Sequence, residues 1–486
     1  MRHLEYKWLV GITFVLGLVM QILDVTVLNV ALATLGREFD VGAGVLQWVL
    51  TGYMVSLAVF IPASGWIADR FGSKRAFLSA VVIFTVASVL CGLAPNVWAL
   101  IAARVLQGVG GGMLVPVGQA MLFRAFPPHE RAKASAVLAI PITIAPMLGP
   151  LIGGVLVQFA SWRWIFFINV PVGALALTFT VLFLREERQE RPGAFDVPGF
   201  VLAGAGLALL LVGLEQSAGS GWSSPASWAP LAASALLIGA LAWRELSVRH
   251  PMLDLRLLRD RMFGTGNALL MCMTGAMFSV LFLTPLYVQN VRDGSPTLAG
   301  LVLMPQALSM LLVTQVVSRV YGRIGPRRLI LAGFGVQLLV GLALQTLTET
   351  TPIWWLITCL TAQGVAMALL MTPVQTATFA RIASASMGRA SSLFNSGRQV
   401  AMALGTAIVA TVLVAATNLA LAGLDPARPE LAAQAQMAGF RGAYLVTLGF
   451  SVLGVLVALR LRDSDAAPTL DPTHRAVEPE QTGRVG

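Results

Sequence analysis

Residues 8–34 read WLVGITFVLGLVMQILDVTVLNVALAT, an apolar run in which Asp24 is the single charged side chain. A helix needs about 20 mostly apolar residues to cross the hydrocarbon core of a bilayer. The apolar core of a signal peptide is much shorter, about 7–15 residues. We therefore interpret this stretch as an uncleaved first membrane span.

The same pattern recurs along the chain and predicts an all-α, polytopic membrane protein with 14 transmembrane helices. Because the number of spans is even, both termini are expected on the same side of the membrane. The predicted spans are 8–34, 44–67, 76–94, 98–122, 134–158, 164–184, 197–216, 227–244, 264–289, 298–320, 328–347, 353–375, 393–417 and 441–460.

The composition supports a membrane protein and explains its basic charge. Of the 486 residues, 57% are hydrophobic and 12% are charged, whereas a soluble protein has about 25% charged residues. The net charge is +10, and the basic residues cluster in alternate loops. Such loops face the cytoplasm, so we expect both termini in the cytoplasm and the chain in a cell (inner or plasma) membrane. This asymmetry accounts for the charge without a nucleic-acid partner.

Signatures of enzymes and metal sites are absent from the sequence. It contains no phosphate-binding loop, no H-E-x-x-H and no G-x-S-x-G motif. The four histidines lie at the ends or in loops, and the three cysteines lie in apolar runs. We therefore expect no enzyme activity, no metal and no cofactor, and an ion gradient as the energy source for any uphill transport.

Basic residues are mostly Arg, which together with abundant Ala suggests a bacterial source.

Two stretches of the chain look like copies of one another. Residues 65–75 (GWIADRFGSKR) follow the second span, and residues 321–328 (YGRIGPRR) follow the second span of the last group of six. Gly72 aligns with Gly325, and Gly322 replaces Asp69. Parallel six-span repeats are typical of one transporter architecture. We predict an N-terminal six-helix bundle (1–190), two additional transmembrane helices with a cytoplasmic linker (191–260), a C-terminal six-helix bundle (261–462) and a disordered cytoplasmic tail (463–486).

Two charged residues stand out inside the predicted spans, Asp24 in the first and Arg104 in the fourth. Each costs about 2.5–3.5 kcal/mol at the centre of a membrane helix on insertion scales. From the span ends, both are expected in the outer to middle part of the membrane, within reach of one cavity. One interpretation is that Asp24 binds a proton or a cationic substrate and that Arg104 tunes its pKa. The alternative is a static ion pair that joins two helices.

Three further groups of residues are candidates for gating or binding. The turn with Gly65, Asp69, Arg70, Gly72 and Arg75 could form a cytoplasmic gate, or it could be an ordinary solvated loop. The fifth span contains glycines four apart and prolines, which allow close packing and bending; they could form a pivot or only a packing motif. The glycines and prolines of this motif are Gly149, Pro150, Gly153 and Gly154. Three aromatic residues could line an apolar cavity, or they could belong to the cores of their spans: Trp48, Tyr53 and Phe278.

At these motifs the sequence resembles the fourteen-span drug:proton antiporters of the major facilitator superfamily. The matching stretches are residues 23–32 (LDVTVLNVAL), 65–75, 104–108 (RVLQG), 149–154 (GPLIGG), 162–173 (WRWIFFINVPVG), 251–256 (PMLDLR) and 395–399 (NSGRQ). The resemblance implies a fold of two six-helix bundles plus two extra helices. It also implies that Asp24, Asn29, Arg104 and Gln107 couple protons to substrate, that residues 65–75 form the gate, and that residues 149–154 mark an antiporter.

The resulting functional hypothesis is a proton-coupled multidrug efflux antiporter that exports amphipathic, often cationic compounds by alternating access. The alternative on the same scaffold is a dedicated exporter of one endogenous metabolite, antibiotic or lipid. A membrane-embedded sensor without transport is a third, unrelated class. The expected partners are the small-molecule substrate, protons and the lipid bilayer; a periplasmic adaptor protein, with which some relatives work, is an open alternative.

Overall fold

The chain is almost entirely helical. The computed structural model describes residues 5–188, 193–220, 224–248, 251–421 and 429–470, and among them there is no β-strand. The α-helices are α1 Tyr6–Phe39, α2 Ala43–Phe71, α3 Ser73–Gly92, α4 Val97–Ala125, α5 Arg131–Phe159, α6 Trp164–Phe167, α7 Asn169–Phe183, α8 Val197–Ser220, α9 Pro225–Ser247, α10 Arg261–Asn290, α11 Pro296–Ile324, α12 Pro326–Leu344, α13 Ile353–Thr378, α14 Met387–Leu421 and α15 Pro429–Leu459.

Thirteen helical segments within the described residues are long and apolar enough to cross a membrane, and α6 with α7 forms one of them. Helix α5 is 29 residues long and equally apolar, but several of its side chains lie outside the described part. Together with α5 these segments reproduce the predicted order of fourteen spans. The chain is thus a multi-pass membrane protein.

Several helices extend beyond the predicted spans because hydropathy detects only the part of a helix that lies in hydrocarbon. Helix α14 is 35 residues long, and α15 begins at Pro429, twelve residues before the predicted start of its span. Helix ends carry the expected polar caps: the Asn96 side chain accepts from the Ala99 amide, and Asp260 caps α10 through the Phe263 amide.

Two six-helix groups pack separately and meet along one boundary. Helices α1–α5 and the α6–α7 segment pack among themselves, and so do α10–α15. Between the groups, α2 and α4 contact α14, and α5 contacts α11 and α13. Helix α8 packs on both α2 and α14, and α9 packs on α8 at the periphery. The extra pair of helices therefore lies against the outside of the boundary between the bundles.

The start of the predicted disordered tail is ordered, so this prediction is wrong for its first residues. Residues Asp463–Thr469 form a 3-10 helix. Asp465 pairs with Arg381 and Arg261, and the Thr469 and Tyr321 hydroxyls lie 2.8 Å apart. The polar composition that suggested disorder provides the ionic contacts that hold this segment. Residues 471–486 lie outside the described part of the chain.

Candidate functional site

Asp24 and Arg104 form the centre of a fully buried polar cluster in the N-terminal bundle. Arg104 donates to Asp24 Oδ2 through one terminal nitrogen at 2.5 Å, and only 2% of Asp24 and 0% of Arg104 is exposed. Because the side chains come from α1 and α4, the ion pair joins two helices within the membrane. The structure thus brings these two charges together, and both side chains are buried.

Further polar groups complete the cluster around the carboxylate. Gln107 donates from Nε2 to Asp24 Oδ1 at 2.8 Å, and Asn169 donates from Nδ2 to the same oxygen at 3.1 Å. Asn169 lies 3.0 Å from the Ser88 hydroxyl, which donates to the Phe166 carbonyl. Both carboxylate oxygens of Asp24 therefore accept hydrogen bonds, as a buried charged carboxylate requires.

Arg104 is held in place on several sides. Its Nε donates to the Val49 carbonyl at 3.1 Å, and a terminal nitrogen also donates to Gln107 Oε1 at 2.7 Å. The Tyr53 ring lies under the guanidinium, 4.2 Å from ring centroid to Cζ, which is a favourable cation–π geometry. Tyr53, one of the predicted cavity residues, is fully buried here, and its place in a cavity lining stays a prediction.

Apolar side chains separate the cluster from the outer ends of the helices. The buried residues nearest to it on that side come from α1, α2, α4 and the α6 region. They pack as one group: Leu28, Leu35, Val49, Leu100, Trp162 and Phe166. Apolar packing within the N-terminal bundle therefore lies between the Asp24–Arg104 pair and those helix ends.

The glycines of α5 allow close packing beside Asp24. A Cβ atom at Gly149 would overlap the Thr26 side chain, and one at Gly153 would lie 3.0 Å from the Val27 carbonyl oxygen. Gly154 has open space around it. The side chains of Pro150 and of the predicted coupling residue Asn29 lie outside the described part of the chain. Helices α1 and α5 are thus closely packed two to three residues from the buried carboxylate.

The predicted gate turn lies where α2 meets α14. A Cβ atom at Gly65 would be 2.9 Å from the Gly388 carbonyl oxygen, so this position tolerates no side chain in the closed state. Buried Asp69 faces Arg124 at 3.4 Å and Arg389 at 3.6 Å. It thereby links the two bundles.

The rest of the turn acts within the N-terminal bundle. Gly72 has φ +97° at the junction of α2 and α3, a conformation suited to glycine. Arg75 pairs with Glu186 at 3.6 Å, and Arg70 is exposed. These residues shape the turn, whereas Gly65 and Asp69 make the contacts to the other bundle.

Other contacts close the same side of the molecule. The Asn395 Nδ2 donates to Gln119 Oε1 at 2.6 Å, and the Ser135 and Thr376 hydroxyls lie 3.2 Å apart. Arg131 donates to the Phe379 carbonyl at 2.6 Å. We call this region the inner seal, after the cytoplasmic side on which the basic loops predict it; it comprises Gly65, Asp69, Gln119, Arg124, Arg131 and Ser135 with Thr376, Phe379, Gly388, Arg389 and Asn395.

The remaining candidates are more peripheral. Trp48 is 47% exposed near the outer end of α2, and Phe278 is partly buried on α10. No group of three or more potential ligands that could hold a metal ion occurs within the described ranges.

Sequence reasoning missed Asn169, Arg124 and Arg389, because their importance depends on which distant helix each one contacts.

Comparison with known proteins agrees with this architecture. Residues 14–406 match the Major Facilitator Superfamily. The chain is 35% identical over 412 residues to the "Multidrug resistance protein B homolog" of Mycobacterium tuberculosis, covering 82% of this chain and 75% of that protein. It is 33% identical over 401 residues to "Multidrug resistance protein Stp" of the same species, covering 82% and 74%.

The fold also matches solved structures. The proton:xylose symporter XylE superimposes with a TM-score of 0.64 at 16% identity, covering 93% of this chain and 94% of that one. At that identity the likeness shows the fold alone. The packing into two six-helix groups, this structural likeness and the match over most of the chain all point to one family, and the chain belongs to the Major Facilitator Superfamily.

Proposed function

We propose that the chain is a proton-coupled exporter of amphipathic small molecules that works by alternating access. The observation that carries this proposal is the buried Asp24 carboxylate, which is held by Arg104, Gln107 and Asn169 from two other helical segments. The names of its relatives, which are multidrug resistance proteins, support export of drug-like compounds.

A proton on Asp24 would weaken the contacts that hold α1 to α4. The protonated carboxyl is neutral, so it loses the ion pair with Arg104 and accepts fewer hydrogen bonds. Arg104 keeps its bonds to Gln107 Oε1 and the Val49 carbonyl. The proton taken from the outer side is later released to the inner side, which restores the ion pair.

Helix α4 would connect this proton step to the inner seal. The same helix contains Arg104 and, about 22 Å further along at 1.5 Å per residue, Gln119. Gln119 and Arg124 contact α14 and the residues just before it, while Gly149 and Gly153 on α5 pack against α1 beside Asp24. A shift of α1 relative to α4 at Asp24 would therefore reach both helices that close the seal.

The proton gradient would supply the energy, with no cofactor. One charge that moves across 100 mV provides about 2.3 kcal/mol, which is nearly a fiftyfold concentration ratio at about 1.4 kcal/mol per tenfold. The basic loops support an orientation with the inner seal and both termini on the cytoplasmic side.

Proteoliposomes test this function directly. Purified protein is reconstituted with a pH gradient, and the movement of an amphipathic fluorescent dye is followed. We expect uphill dye transport against the proton gradient and its loss when a protonophore collapses that gradient. Dye transport that continues unchanged after the gradient is collapsed would contradict proton coupling.

A further inference from the structure

Arg398 is a second arginine inside the membrane, and it lies in the C-terminal bundle. It is eleven residues after Met387, the first residue of α14, which places it about 16 Å along the helix. The outer end at Leu421 is about 34 Å away. A charge at this depth is costly unless an acid, a carbonyl group or water stabilises it, so its surroundings are informative.

The described residues offer no partner to this guanidinium. Arg398 forms no hydrogen bond and no ion pair with any of them, whereas Arg104 has Asp24, Gln107 and the Val49 carbonyl. Its neighbour Gln399 has a buried Nε2 that also finds no acceptor within the described ranges. Two adjacent side chains therefore have donors that find no acceptor among the described residues.

Helical spacing places Arg398 toward the other bundle. Ser391 and Asn395 of α14 both bond to Gln119 of α4. Arg398 follows them by seven and three residues, so it lies on the same side of α14, one to two turns further out. Its side chain is partly exposed. The Arg398 guanidinium thus lies just outward of the inner seal, on the side of α14 that faces the other bundle.

The charge of this boundary favours an anionic ligand. The planar guanidinium donates two parallel hydrogen bonds to carboxylate, sulfonate or phosphate groups. A cationic ligand would instead need an acid that faces the boundary. The deepest acid among the described side chains, Asp24, is buried and already paired with Arg104.

We propose that Arg398, together with the Nε2 group of Gln399, binds the anionic group of an amphipathic cargo molecule between the two bundles. This inference rests on the proposed export function and narrows its cargo class. The apolar part of such a molecule would lie along the span surfaces, and its acidic group would neutralise Arg398 at a depth where water is scarce.

Three related probes test the ligand class with purified protein: an aromatic carboxylate dye, its uncharged amide and its amine analogue. Binding is measured by fluorescence anisotropy at neutral pH, and transport is measured in proteoliposomes. We expect the wild-type protein to bind the carboxylate most tightly. Arg398→Gln should weaken carboxylate binding at least about tenfold and change amide binding less than about twofold.

Further variants keep the test decisive. Arg398→Lys should retain part of the carboxylate affinity, and Gln399→Leu should reduce it by a smaller factor. Arg319→Gln removes an exposed arginine of α11 and serves as the matched control, with no change expected. If Arg398→Gln does not fold, the Lys and Leu variants still report on the site.

The outcomes separate this inference from the proposed function. Tightest binding of the amine probe by wild type, or equal losses for all three probes in Arg398→Gln, would overturn the anion site. The protein could bind the carboxylate probe through Arg398 and yet show no transport driven by a pH gradient. That result would support the anion site and contradict proton-coupled export.

Discussion

The turn between α2 and α3 and the turn between α11 and α12 share a backbone but differ in side-chain chemistry. Gly72 and Gly325 have φ values of +97° and +84°. A carboxylate that follows the last helix of the same bundle caps each turn: Glu186 accepts from the Lys74 amide at 3.1 Å, and Asp463 accepts from the Arg327 amide at 2.9 Å. The two copies are therefore built in the same way locally.

The difference lies in what each turn offers to the opposite bundle. The first copy has Asp69, which faces Arg389 of the other bundle at 3.6 Å, and Gly65, which allows close approach to Gly388. In the second copy Gly322 and Ser318 occupy the aligned positions. The glycine and the cap thus make the turn, whereas the ion pair with the opposite bundle depends on Asp69, which only the first copy has.

The largest effect is expected from a side chain at Gly65. Gly65→Val would overpack the α2–α14 contact, which costs about 1–3 kcal/mol and shifts the closed–open equilibrium about 5- to 150-fold toward open. The labelling rate of a cysteine introduced at Ser135, buried in the closed seal, measures this shift. Ser318→Val in the second copy should change the rate less than about twofold; equal effects of the two valines would refute the asymmetry.

An intermediate effect is expected at Asp69. Asp69→Asn removes the charge that faces Arg124 and Arg389, which should cost about 0.5–1.5 kcal/mol and raise labelling of the same cysteine about two- to tenfold. Gly322→Asp, the matching change in the second copy, should leave the rate nearly unchanged. In a double-mutant cycle, Asp69→Asn and Arg389→Gln should be non-additive; full additivity would mean that the two residues do not interact.

The smallest effect is expected from the two caps. Glu186→Gln and Asp463→Asn each remove a negative charge from a helix N-terminus, which should cost about 0.3–1 kcal/mol. Thermal unfolding of the purified protein should show similar small losses for both variants, with no change in cysteine labelling. A transport defect in only one of them would show that the caps also differ in function.

The sequence predicted the fold well because long apolar runs and basic loops are local signals. The proximity of Asp24 and Arg104 was also predictable, because distance from a span end gives depth. The partners of these residues were harder to predict. Asn169 is an uncharged amide in an apolar segment, and Arg124 and Arg389 look like ordinary basic loop residues until the packing of distant helices brings them to Asp69.

The burial of the site was likewise not predictable from the sequence. From the sequence, Tyr53 is a candidate to line a cavity, yet its ring packs against the Arg104 guanidinium. The same limit applies to Arg398: its spacing indicates a helix face, but the sequence does not show that no described residue bonds to it. The hydropathy of the surrounding sequence indicates which charged residues lie in the membrane. Which of them form an ion pair is visible only once the helices are packed together.

The central claim is that Asp24 exchanges a proton during transport and is not a static link between α1 and α4. Asp24→Asn cannot take up that proton, but its single amide oxygen can still accept a hydrogen bond from Arg104 or from Gln107. In proteoliposomes, uphill dye transport driven by a pH gradient is compared with energy-independent dye exchange at equal pH. The account predicts that Asp24→Asn loses uphill transport and retains exchange; uphill transport at the wild-type rate would contradict it.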